Sequence, residues 1–545
     1  MKPQAFAALT LFCLSLTPAV ARVEKPKLIL VIAIDQFRAD YLQKFSPHFL
    51  PASKKGFNYL MDKGAYFSHA EYGLLQNMTG PGHATILSGA YAYQHGIPNN
   101  DWVDAKTQEY VYCTEDQKFK TVGASPKNPH IGTSPKNLVG TTLGDELKNA
   151  YADSRVVTVA LKDRSAILMG GHRADLAIWF DAESFSWVTS DYYASALPAW
   201  LVTINQSLQK KLGTEMVWEK KIEGQAAENK FVPLTKYNGD MGLAFPHKAK
   251  VGSPSTLMFP IAIDMPGEVA ISALKEMKLG QRKATDILAI SFSNHDYVGH
   301  SFGPESQEIK ETTVLEDKAI ANLLNTIDET IPGGLDNTWI VLTADHGVAG
   351  NVKVLSSLKI PSGYVNQGAI AQELESYLTK RYGKANPKWL GEPSEFNFYL
   401  NKAVIRQKNL DLSKIQAELA KHISTKPELL TGIAYVFSAQ DVKNRTLPPE
   451  QHERQILRTY FEGRSGDVMM IPRPNYLLEY GATTHMTGYS YDRYVPLIFA
   501  GGPFKAGTYA GGEVVDIAPT LAFLLGIIPP SGSEGKILEK ALVGK

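Results

Sequence analysis

The fold follows from one stretch, Lys27-Leu28-Ile29-Leu30-Val31-Ile32-Ala33-Ile34-Asp35. Its apolar residues are continuous rather than alternating with polar ones, which is typical of a strand buried on both faces of a parallel sheet. In open α/β sheets, ligands bind beyond the carboxyl ends of the strands. Asp35 directly follows this strand, so the stretch predicts both an α/β fold and a polar site residue at the edge of the sheet.

Four further apolar runs have the same form, at residues 155–161, 286–292, 339–343 and 495–500. Between the second and the third of these runs, residues 309–327 carry apolar side chains among acids and lysines, and Pro332-Gly333-Gly334 then signals the end of a helix. Strand, helix and strand in that order form a βαβ unit. We therefore predict a central, mostly parallel sheet with helices on both faces.

Two long stretches, at about residues 171–264 and 351–477, do not follow this alternation of strand and helix. The first is rich in Trp, Tyr, Ser and Pro, and the second contains an amphipathic helical pattern across Leu412-Ile415-Leu419. We interpret both as large insertions over the active edge of the sheet. The prediction is thus one catalytic domain, residues 22–545, rather than several linked domains.

The first 21 residues form a candidate signal peptide. Lys2 precedes the apolar run 5–14, and Ala19-Val20-Ala21 provides the small residues of a cleavage site. The run is too short to span a bilayer, so a membrane anchor is disfavoured. We expect a periplasmic or secreted protein without a stable membrane anchor. Cleavage leaves Cys113 as the one cysteine, which excludes an internal disulfide and favours a packed residue.

The composition excludes some classes of partner. The formal net charge of the 545 residues is +1, with 44% hydrophobic and 20% charged residues. These values are ordinary for a soluble globular protein and argue against a nucleic-acid surface. We expect small-molecule substrates and a monomer.

Asp and His residues gather where the predicted strands end. Asp35 follows the first strand, and three clusters stand beside others: Asp296 with His300, Asp345-His346-Gly347, and Thr483-Thr484-His485 just before the last run. Carboxylate and imidazole together suit zinc or another first-row cation. There are enough ligands for two cations. For His83, His95 and His295 we expect supporting structural roles.

Thr79 is the candidate nucleophile. It begins Thr79-Gly80-Pro81-Gly82-His83, which precedes an apolar run. Thr can cap a helix through its side-chain oxygen, Pro suits the first turn, and a helix N-terminus favours an anion. Taken alone, this predicts a plain cap. Beside two cations about 4 Å apart, however, the Thr79 hydroxyl can act as an alkoxide that attacks phosphorus.

Lys162-Asp163-Arg164 follows the predicted strand that ends at Leu161. Alternation along a strand places Lys162 and Arg164 on the same side. These two positively charged side chains match the charge that a phosphate monoester carries beyond that of a diester, and Arg164 can bind the phosphate in a bidentate manner. The alternative is a solvated strand end.

Together these motifs resemble the alkaline phosphatase superfamily, and within it the PafA-like bacterial alkaline phosphatases with a Thr nucleophile. The matching residues span nearly the whole mature chain in the family's order: Asp35, Thr79, Asn100 within His95–Trp102, Lys162-Asp163-Arg164, Asp296 to His300, Asp345-His346-Gly347 and Thr484-His485. The resemblance implies an alkaline-phosphatase-like sandwich fold, two zinc ions and hydrolysis of phosphate monoesters at alkaline pH.

The resemblance also implies a role for each residue. One zinc is held by Asp296, His300 and His485, and the other by Asp35, Asp345, His346 and the Thr79 oxygen. Thr79 forms a phosphothreonine that a zinc-bound water hydrolyses. The non-bridging phosphate oxygens are bound by Asn100, Lys162 and Arg164.

Three other functions share part of this pattern. A nucleotide pyrophosphatase/phosphodiesterase has the same ligands and a Thr nucleophile, but a diester carries one charge fewer and does not call for Lys162 and Arg164 together. A sulfatase needs a modified Cys or Ser in Cys/Ser-x-Pro-x-Arg, where this chain has Thr79 and His83. A non-catalytic exported zinc- or phosphate-binding protein has no need of an ionisable hydroxyl.

Overall fold

The computed structural model describes residues 24–123, 132–223, 231–235, 238–479 and 481–543. The predicted signal peptide lies outside the described residues. The strands are β1 Leu28–Ile34, β2 Ala65–Glu71, β3 Asp101–Val103, β4 Tyr110–Tyr112, β5 Thr121–Val122, β6 Val156–Ala160, β7 Leu176–Asp181, β8 Ser186–Ser190, β9 Glu215–Trp218, β10 His247–Lys250, β11 Asp286–Phe292, β12 Thr338–Thr343, β13 Gly363–Tyr364, β14 Asn397–Phe398, β15 Ile433–Ser438, β16 Val468–Pro472, β17 Tyr476–Leu477, β18 Tyr494–Ala500 and β19 Gly507–Tyr509.

Helices connect and cover these strands. They are α1 Tyr41–Phe45, α2 Phe57–Lys63, α3 Thr79–Ser88, α4 Ala92–His95, α5 Leu143–Ala150, α6 Asp163–Gly170, α7 Ala199–Gln209, α8 Ile261–Glu276, α9 Asn294–Phe302, α10 Gln307–Thr330, α11 Val352–Ser357, α12 Gln367–Tyr382, α13 Lys402–Gln407, α14 Leu412–Ser424, α15 Ala439–Asn444, α16 Glu450–Thr459, α17 Ser490–Arg493 and α18 Ile517–Leu525. No helix in the described part of the chain combines the length and apolar character that a membrane crossing requires.

The main sheet has ten strands in the order β19-β2-β18-β12-β1-β11-β6-β7-β8-β5. β1 lies inside it, paired in parallel with β11 on one side and β12 on the other. All seven residues of β1 are buried, so both faces of the sheet are covered there. Burial of each such Leu, Ile or Val side chain stabilises the fold by about 1.5–3 kcal/mol. The predicted α/β fold with a mostly parallel sheet is confirmed.

One predicted strand runs in the other direction. Residues 495–500 have the continuous apolar pattern of a parallel strand, but β18 pairs antiparallel with both β12 and β2. Its reversal brings the amino end of β18 to the edge where β1 and β12 have their carboxyl ends. The residues that precede β18 along the chain therefore approach the same edge of the sheet.

The predicted insertions differ from the structure in one respect. The stretch from about 171 to 264 includes β7 and β8, which are strands of the main sheet, so the part outside the sheet begins only after β8. The stretch from about 351 to 477 contains a separate three-stranded sheet, β14-β16-β15, with its own hydrophobic cluster. Ser394 of this stretch contacts the β3–β4 hairpin, where its Oγ lies 2.7 Å from Asp101 Oδ1.

Candidate active site

Four segments deliver polar side chains to one edge of the main sheet. Asp35 follows β1, and Asp345 and His346 follow β12. After β11 the chain enters α9, where Asp296 and His300 are four residues apart and share one helix face. His485 comes from the loop before β18. The sequence prediction that these strand ends meet agrees with the distances between their side chains.

The ligand-type atoms form two adjacent groups among the described residues. One contains Asp35, Asp345 and His346, and the other contains Asp296, His346 and His485, with the atoms of each group within 4.8 Å of one another. His346 belongs to both groups, and its ring stacks on His485 with ring centroids 3.7 Å apart. His300 joins the second group, because its Nε2 lies 3.2 Å from Asp296 Oδ1.

Backbone carbonyls orient all three imidazoles. Nδ1 of His346 lies 2.9 Å from the Gly347 oxygen, Nδ1 of His300 lies 3.0 Å from the Thr483 oxygen, and Nδ1 of His485 lies 2.8 Å from the Asn77 oxygen. A carbonyl only accepts, so each Nδ1 donates its proton, and Nε2 is the nitrogen that faces the carboxylates. Such orientation is typical of histidines that bind a metal.

The buried lone pairs at the centre of the site face one another. His346 Nε2 lies 3.4 Å from Asp35 Oδ1 and 3.4 Å from Asp345 Oδ2. Neither His346 Nε2 nor Asp35 Oδ1 has a hydrogen-bond partner in the described structure. Acceptor atoms that face one another in a buried space are unfavourable unless a cation lies between them. These ligand atoms therefore fit a metal ion, and their mixture of carboxylate and imidazole fits zinc.

Burial and neighbouring charges shift the pKa values of the carboxyl groups at the site, and they do so differently for Asp35 and Asp296. Burial and the neighbouring Asp345 raise the pKa of Asp35 well above its ordinary value. Burial alone would also raise the pKa of Asp296, but His300 and Lys162 hold it well below the ordinary value. Burial lowers the pKa of both His346 and His485, which favours the neutral imidazoles that metals bind.

Lys162 is the buried cation of the site. Its Nζ lies 2.7 Å from Asp35 Oδ2, 2.6 Å from Asp296 Oδ2 and 3.3 Å from Thr79 Oγ1. Burial alone would lower the pKa of this ammonium, but Asp296 and Asp35 raise it above its ordinary value. Lys162 therefore stays charged, next to both the carboxylates and the candidate nucleophile.

Thr79 is not the cap of its helix. Met78 is the N-cap and makes no side-chain capping bond, and Thr79 is the first residue of α3. The predicted capping bond is thus wrong. The Thr79 hydroxyl, which is 1% exposed, instead lies near Lys162 Nζ and 3.4 Å from Arg164 Nη2. Since no backbone N–H donates a hydrogen bond to it, the Thr79 oxygen remains available as a nucleophile.

Gly80 makes room for Asn100 at the start of α3. A Cβ at Gly80 would lie 3.0 Å from Asn100 Oδ1 and 3.4 Å from Cys113 Sγ. The Gly80 N–H donates to Asn100 Oδ1 over 2.7 Å. The missing side chain therefore admits Asn100, whose amide nitrogen is left as a donor at the start of α3.

Arg164 completes the polar surroundings of Thr79, but not by strand alternation. β6 ends at Ala160, Lys162 is the N-cap of α6, and Arg164 lies in the first turn of α6. The prediction that Lys162 and Arg164 face the same side is right, whereas its geometric reason is wrong. Arg164 Nη1 donates to the Tyr112 hydroxyl over 3.1 Å, and that hydroxyl donates to Asp163 over 2.7 Å.

The histidines and the cysteine outside the ligand groups have structural partners. His83 Nδ1 lies 2.9 Å from the Thr79 carbonyl oxygen and 3.2 Å from Asp345 Oδ2, so it supports both residues. His95 is buried near Thr85 Oγ1, and His295 pairs with Glu316 in the core. Cys113 is buried and unpaired, and burial raises the pKa of its thiol, which disfavours a thiolate nucleophile.

Sequence reasoning missed two residues that contact this site. Tyr112 anchors Arg164, and Gln36 donates its side-chain amide to Asp296 Oδ1 over 2.7 Å. Neither position has a spacing signal. Tyr112 belongs to the short hairpin β3–β4 that begins beside Asn100, and Gln36 simply follows Asp35.

Asp492 links the loop of His485 to the loop of His346. Its Oδ2 accepts from the Thr487 N–H and hydroxyl, and its backbone oxygen accepts from the Gly347 N–H over 2.6 Å. The other carboxyl oxygen is buried without a hydrogen bond. Burial raises the pKa of Asp492 to about 8.

We expect Asp492 to make stability depend on pH. The pKa of an unfolded Asp is about 3.9, so the folded state binds this proton more tightly than the unfolded chain. The contribution is complete below about pH 4 and is lost as the pH rises to about 8. Asp492→Asn, which resembles the protonated carboxyl, should flatten this loss in thermal unfolding measured between pH 5 and pH 9. An unchanged pH slope would contradict the assignment.

Comparison with known proteins places these observations in a family context. Residues 29–492 match the family described as type I phosphodiesterase / nucleotide pyrophosphatase. The alkaline phosphatase PafA of Elizabethkingia meningoseptica is 30% identical over 95% of this chain and 95% of its own length. A protein of Myroides odoratus named as a calcium-transporting ATPase is 30% identical over 96% of both chains. Alkaline phosphatase PhoV of Synechococcus elongatus is 32% identical over 95% of this chain and 94% of its own.

Solved structures show the same fold. The crystal structure of wild-type alkaline phosphatase PafA superposes with a TM-score of 0.85 and 28% identity, covering 95% of this chain and 99% of that one. Murine ectonucleotide pyrophosphatase / phosphodiesterase 5 superposes with a TM-score of 0.53 and 13% identity, covering 94% of this chain and 99% of its own. At that identity the second likeness concerns the fold alone.

Proposed function

The chain belongs to the type I phosphodiesterase and nucleotide pyrophosphatase family and, within the alkaline phosphatase superfamily, to its PafA-like members, and we propose that it is a zinc-dependent alkaline phosphatase that cleaves phosphate monoesters through Thr79. The proposal combines the geometry of the site with the activity named in two of its relatives, PafA and PhoV, and in the solved structure of PafA. Two zinc ions and a phosphothreonine intermediate are the finer parts of the proposal.

One observation supports it most directly. The Thr79 hydroxyl lies between a buried cluster of carboxylates and imidazoles and two cationic side chains, Lys162 and Arg164. A hydroxyl is a weak nucleophile unless a base or a cation lowers its pKa. A binding protein without turnover would gain nothing from a hydroxyl in this position.

The residues present fit two cations. Asp296, His300 and His485 would hold one ion, and Asp35, Asp345, His346 and the Thr79 oxygen the other. Bound there, such ions supply Lewis acidity, which stabilises an alkoxide and the developing charge on phosphorus. Because His346 lies in both groups of ligand atoms, the two ions would be close neighbours.

The remaining steps of the proposed reaction depend on side chains of the protein itself. Arg164 and Asn100 bind the non-bridging oxygens of the phosphate and orient phosphorus toward Thr79 Oγ1. Lys162 adds a positive charge beside the attacking oxygen. Thr79 loses its proton and forms a bond to phosphorus as the alcohol leaves, and water then releases inorganic phosphate from the phosphothreonine.

The positive charges of Lys162 and Arg164, which together form the proposed phosphate clamp, favour monoesters over diesters. A monoester dianion carries one charge more than a diester, and Lys162 and Arg164 both lie within 3.4 Å of Thr79 Oγ1. The test is the ratio of kcat/KM for an aryl phosphate to that for its bis-aryl ester, measured with the wild type. A ratio above one supports the monoesterase, and a preference for the bis-ester contradicts it.

Removal of metal is expected to abolish turnover. Without a metal ion, the lone pairs of Asp35 Oδ1, Asp345 Oδ2 and His346 Nε2 repel one another, and Thr79 loses the metal charge that activates it. Treatment with a chelator should lower activity at least about 100-fold, and added Zn²⁺ should restore it. Elemental analysis of the untreated enzyme should give two zinc ions per chain. Full activity in metal-free protein would contradict the proposal.

Export and substrate class complete the proposal. The predicted signal peptide, residues 1–21, implies a periplasmic or secreted enzyme, and this stays a prediction. Small-molecule phosphate esters are the expected substrates, in line with the names of the relatives.

A further inference from the structure

Gln36 connects the two candidate metal groups. Its backbone N–H donates to Asp345 Oδ1 over 3.0 Å, and its side-chain Nε2 donates to Asp296 Oδ1 over 2.7 Å. Asp345 belongs to the first group of ligand atoms and Asp296 to the second. Gln36 itself is fully buried and lies outside the proposed phosphate clamp. One residue thus contacts a carboxylate of each group.

This contact is maintained at two structural costs. The backbone of Gln36 has φ of +67°, a left-handed conformation that is uncommon for a residue with a side chain. Its side-chain oxygen is buried without a hydrogen-bond partner, which is also unfavourable. Rotating the amide would not help, because its oxygen would then face the Asp296 carboxylate. Stability alone therefore does not explain this glutamine.

Gly299 makes room for the same amide. It lies in α9, between Asp296 and His300, where glycine is about 1 kcal/mol less favourable than alanine. A Cβ at Gly299 would overlap the side-chain oxygen of Gln36, and its three nearest atoms would all belong to the Gln36 amide. The helix thus lacks a side chain at the one position where the Gln36 amide reaches Asp296.

We infer that Gln36 is a positioning residue that fixes Asp296 relative to Asp345 and thereby sets the spacing of the two metal ions. The inference rests on the proposed two-metal function. Asp345 Oδ1 also accepts from the His346 N–H over 2.9 Å, so both hydrogen bonds to this oxygen come from backbone groups that survive a side-chain substitution. Asp296, by contrast, is held by side chains, with Lys162 at Oδ2 and Gln36 at Oδ1. Loss of the Gln36 side chain frees Oδ1 from its amide donor and weakens one metal site selectively.

The test measures metal affinity rather than turnover alone. Gln36→Met keeps the volume and removes the donor, and Gln36→Asn keeps an amide that is too short but tolerates the left-handed backbone. Competition with a chelator gives the dissociation constants of both zinc ions. We expect one ion to bind about 10–100-fold more weakly in both variants, as for other residues that support metal ligands, while the affinity of the other changes little.

A matched control separates this effect from a general loss of stability. Gln416 is a buried glutamine in the second insertion that donates to Asp467 Oδ1 over the same 2.7 Å. Gln416→Met should lower the melting temperature without changing either zinc affinity. Unchanged affinities in both Gln36 variants would overturn the inference and leave the proposed function standing. Absence of bound metal in the wild type would instead overturn the proposed function.

A second pair of variants tests the same contact from the helix. Gly299→Ala should displace the Gln36 amide and reproduce the selective loss of one ion. Gly267→Ala in α8 is its control, because a Cβ there meets nothing within 4 Å. It should leave both affinities unchanged. If Gly299→Ala binds both ions as the wild type does, the amide contact is not needed for the spacing, and the inference is wrong.

Discussion

Replacing Thr79 by alanine is expected to lower kcat/KM for an aryl phosphate by about 10⁴-fold or more, which is the scale seen when a nucleophile is removed from other hydrolases. The reason is chemical rather than structural. The Thr79 hydroxyl makes no capping bond in α3, so the helix loses no hydrogen bond when it is removed. The measurement is steady-state turnover together with acid-quenched detection of a phosphorylated enzyme.

Two controls limit the interpretation of that result. Thr79→Ser retains a hydroxyl at the same place and should keep the phosphoenzyme with about a tenfold change in rate. Thr85→Ala removes a buried hydroxyl from the same helix, where it donates to the Pro81 oxygen, and should affect stability more than turnover. A burst of product that survives in Thr79→Ala would exclude Thr79 as the nucleophile.

The double substitution Lys162→Ala with Arg164→Ala should reduce the preference for monoesters. Hydrogen bonds to charged groups contribute about 1.5–3 kcal/mol each, so losing both should lower kcat/KM for the monoester by about 10²- to 10⁴-fold. A diester has one charge fewer to neutralise and should lose only about tenfold. The ratio of the two losses is the quantity to measure.

Arg164→Ala alone is the cleaner probe of the two. Lys162 lies within 2.7 Å of both Asp35 and Asp296, so its removal also alters the environment of the proposed metal ions. Among the described contacts, Arg164 donates only to Thr79 and Tyr112. Arg381→Ala, which breaks an ion pair with Glu418 on the surface, is a matched control. Equal losses on monoester and diester would contradict the clamp.

The sequence predicts those parts of the molecule that follow from continuous burial. β1, β11 and β12 are recognisable because apolar residues run without interruption, and their ends locate Asp35, Asp296 and Asp345. The direction of β18 is not predictable in this way. A strand buried on both faces has the same composition whether it is parallel or antiparallel, and its direction is decided by the connection that leads to it.

Other features depend on local geometry that has no periodic signature. The start of α3 differs by one residue from the prediction, and this decides whether the Thr79 hydroxyl caps the helix or faces Lys162. Gln36 and Tyr112 support the site through side-chain hydrogen bonds between segments distant in sequence. Their roles follow from three-dimensional distances alone.

The reversal of β18 has a consequence for the order in which the site can assemble. Asp35 and His485 lie near opposite ends of the chain, and the antiparallel pairing of β18 with β12 brings the segment of His485 to the sheet edge. Closing so long a loop carries an entropic cost that grows slowly with its length. Any partly folded intermediate that lacks this pairing holds an incomplete set of ligands. A metal ion that binds these ligands would therefore stabilise the chain with this pairing complete over any state that lacks it.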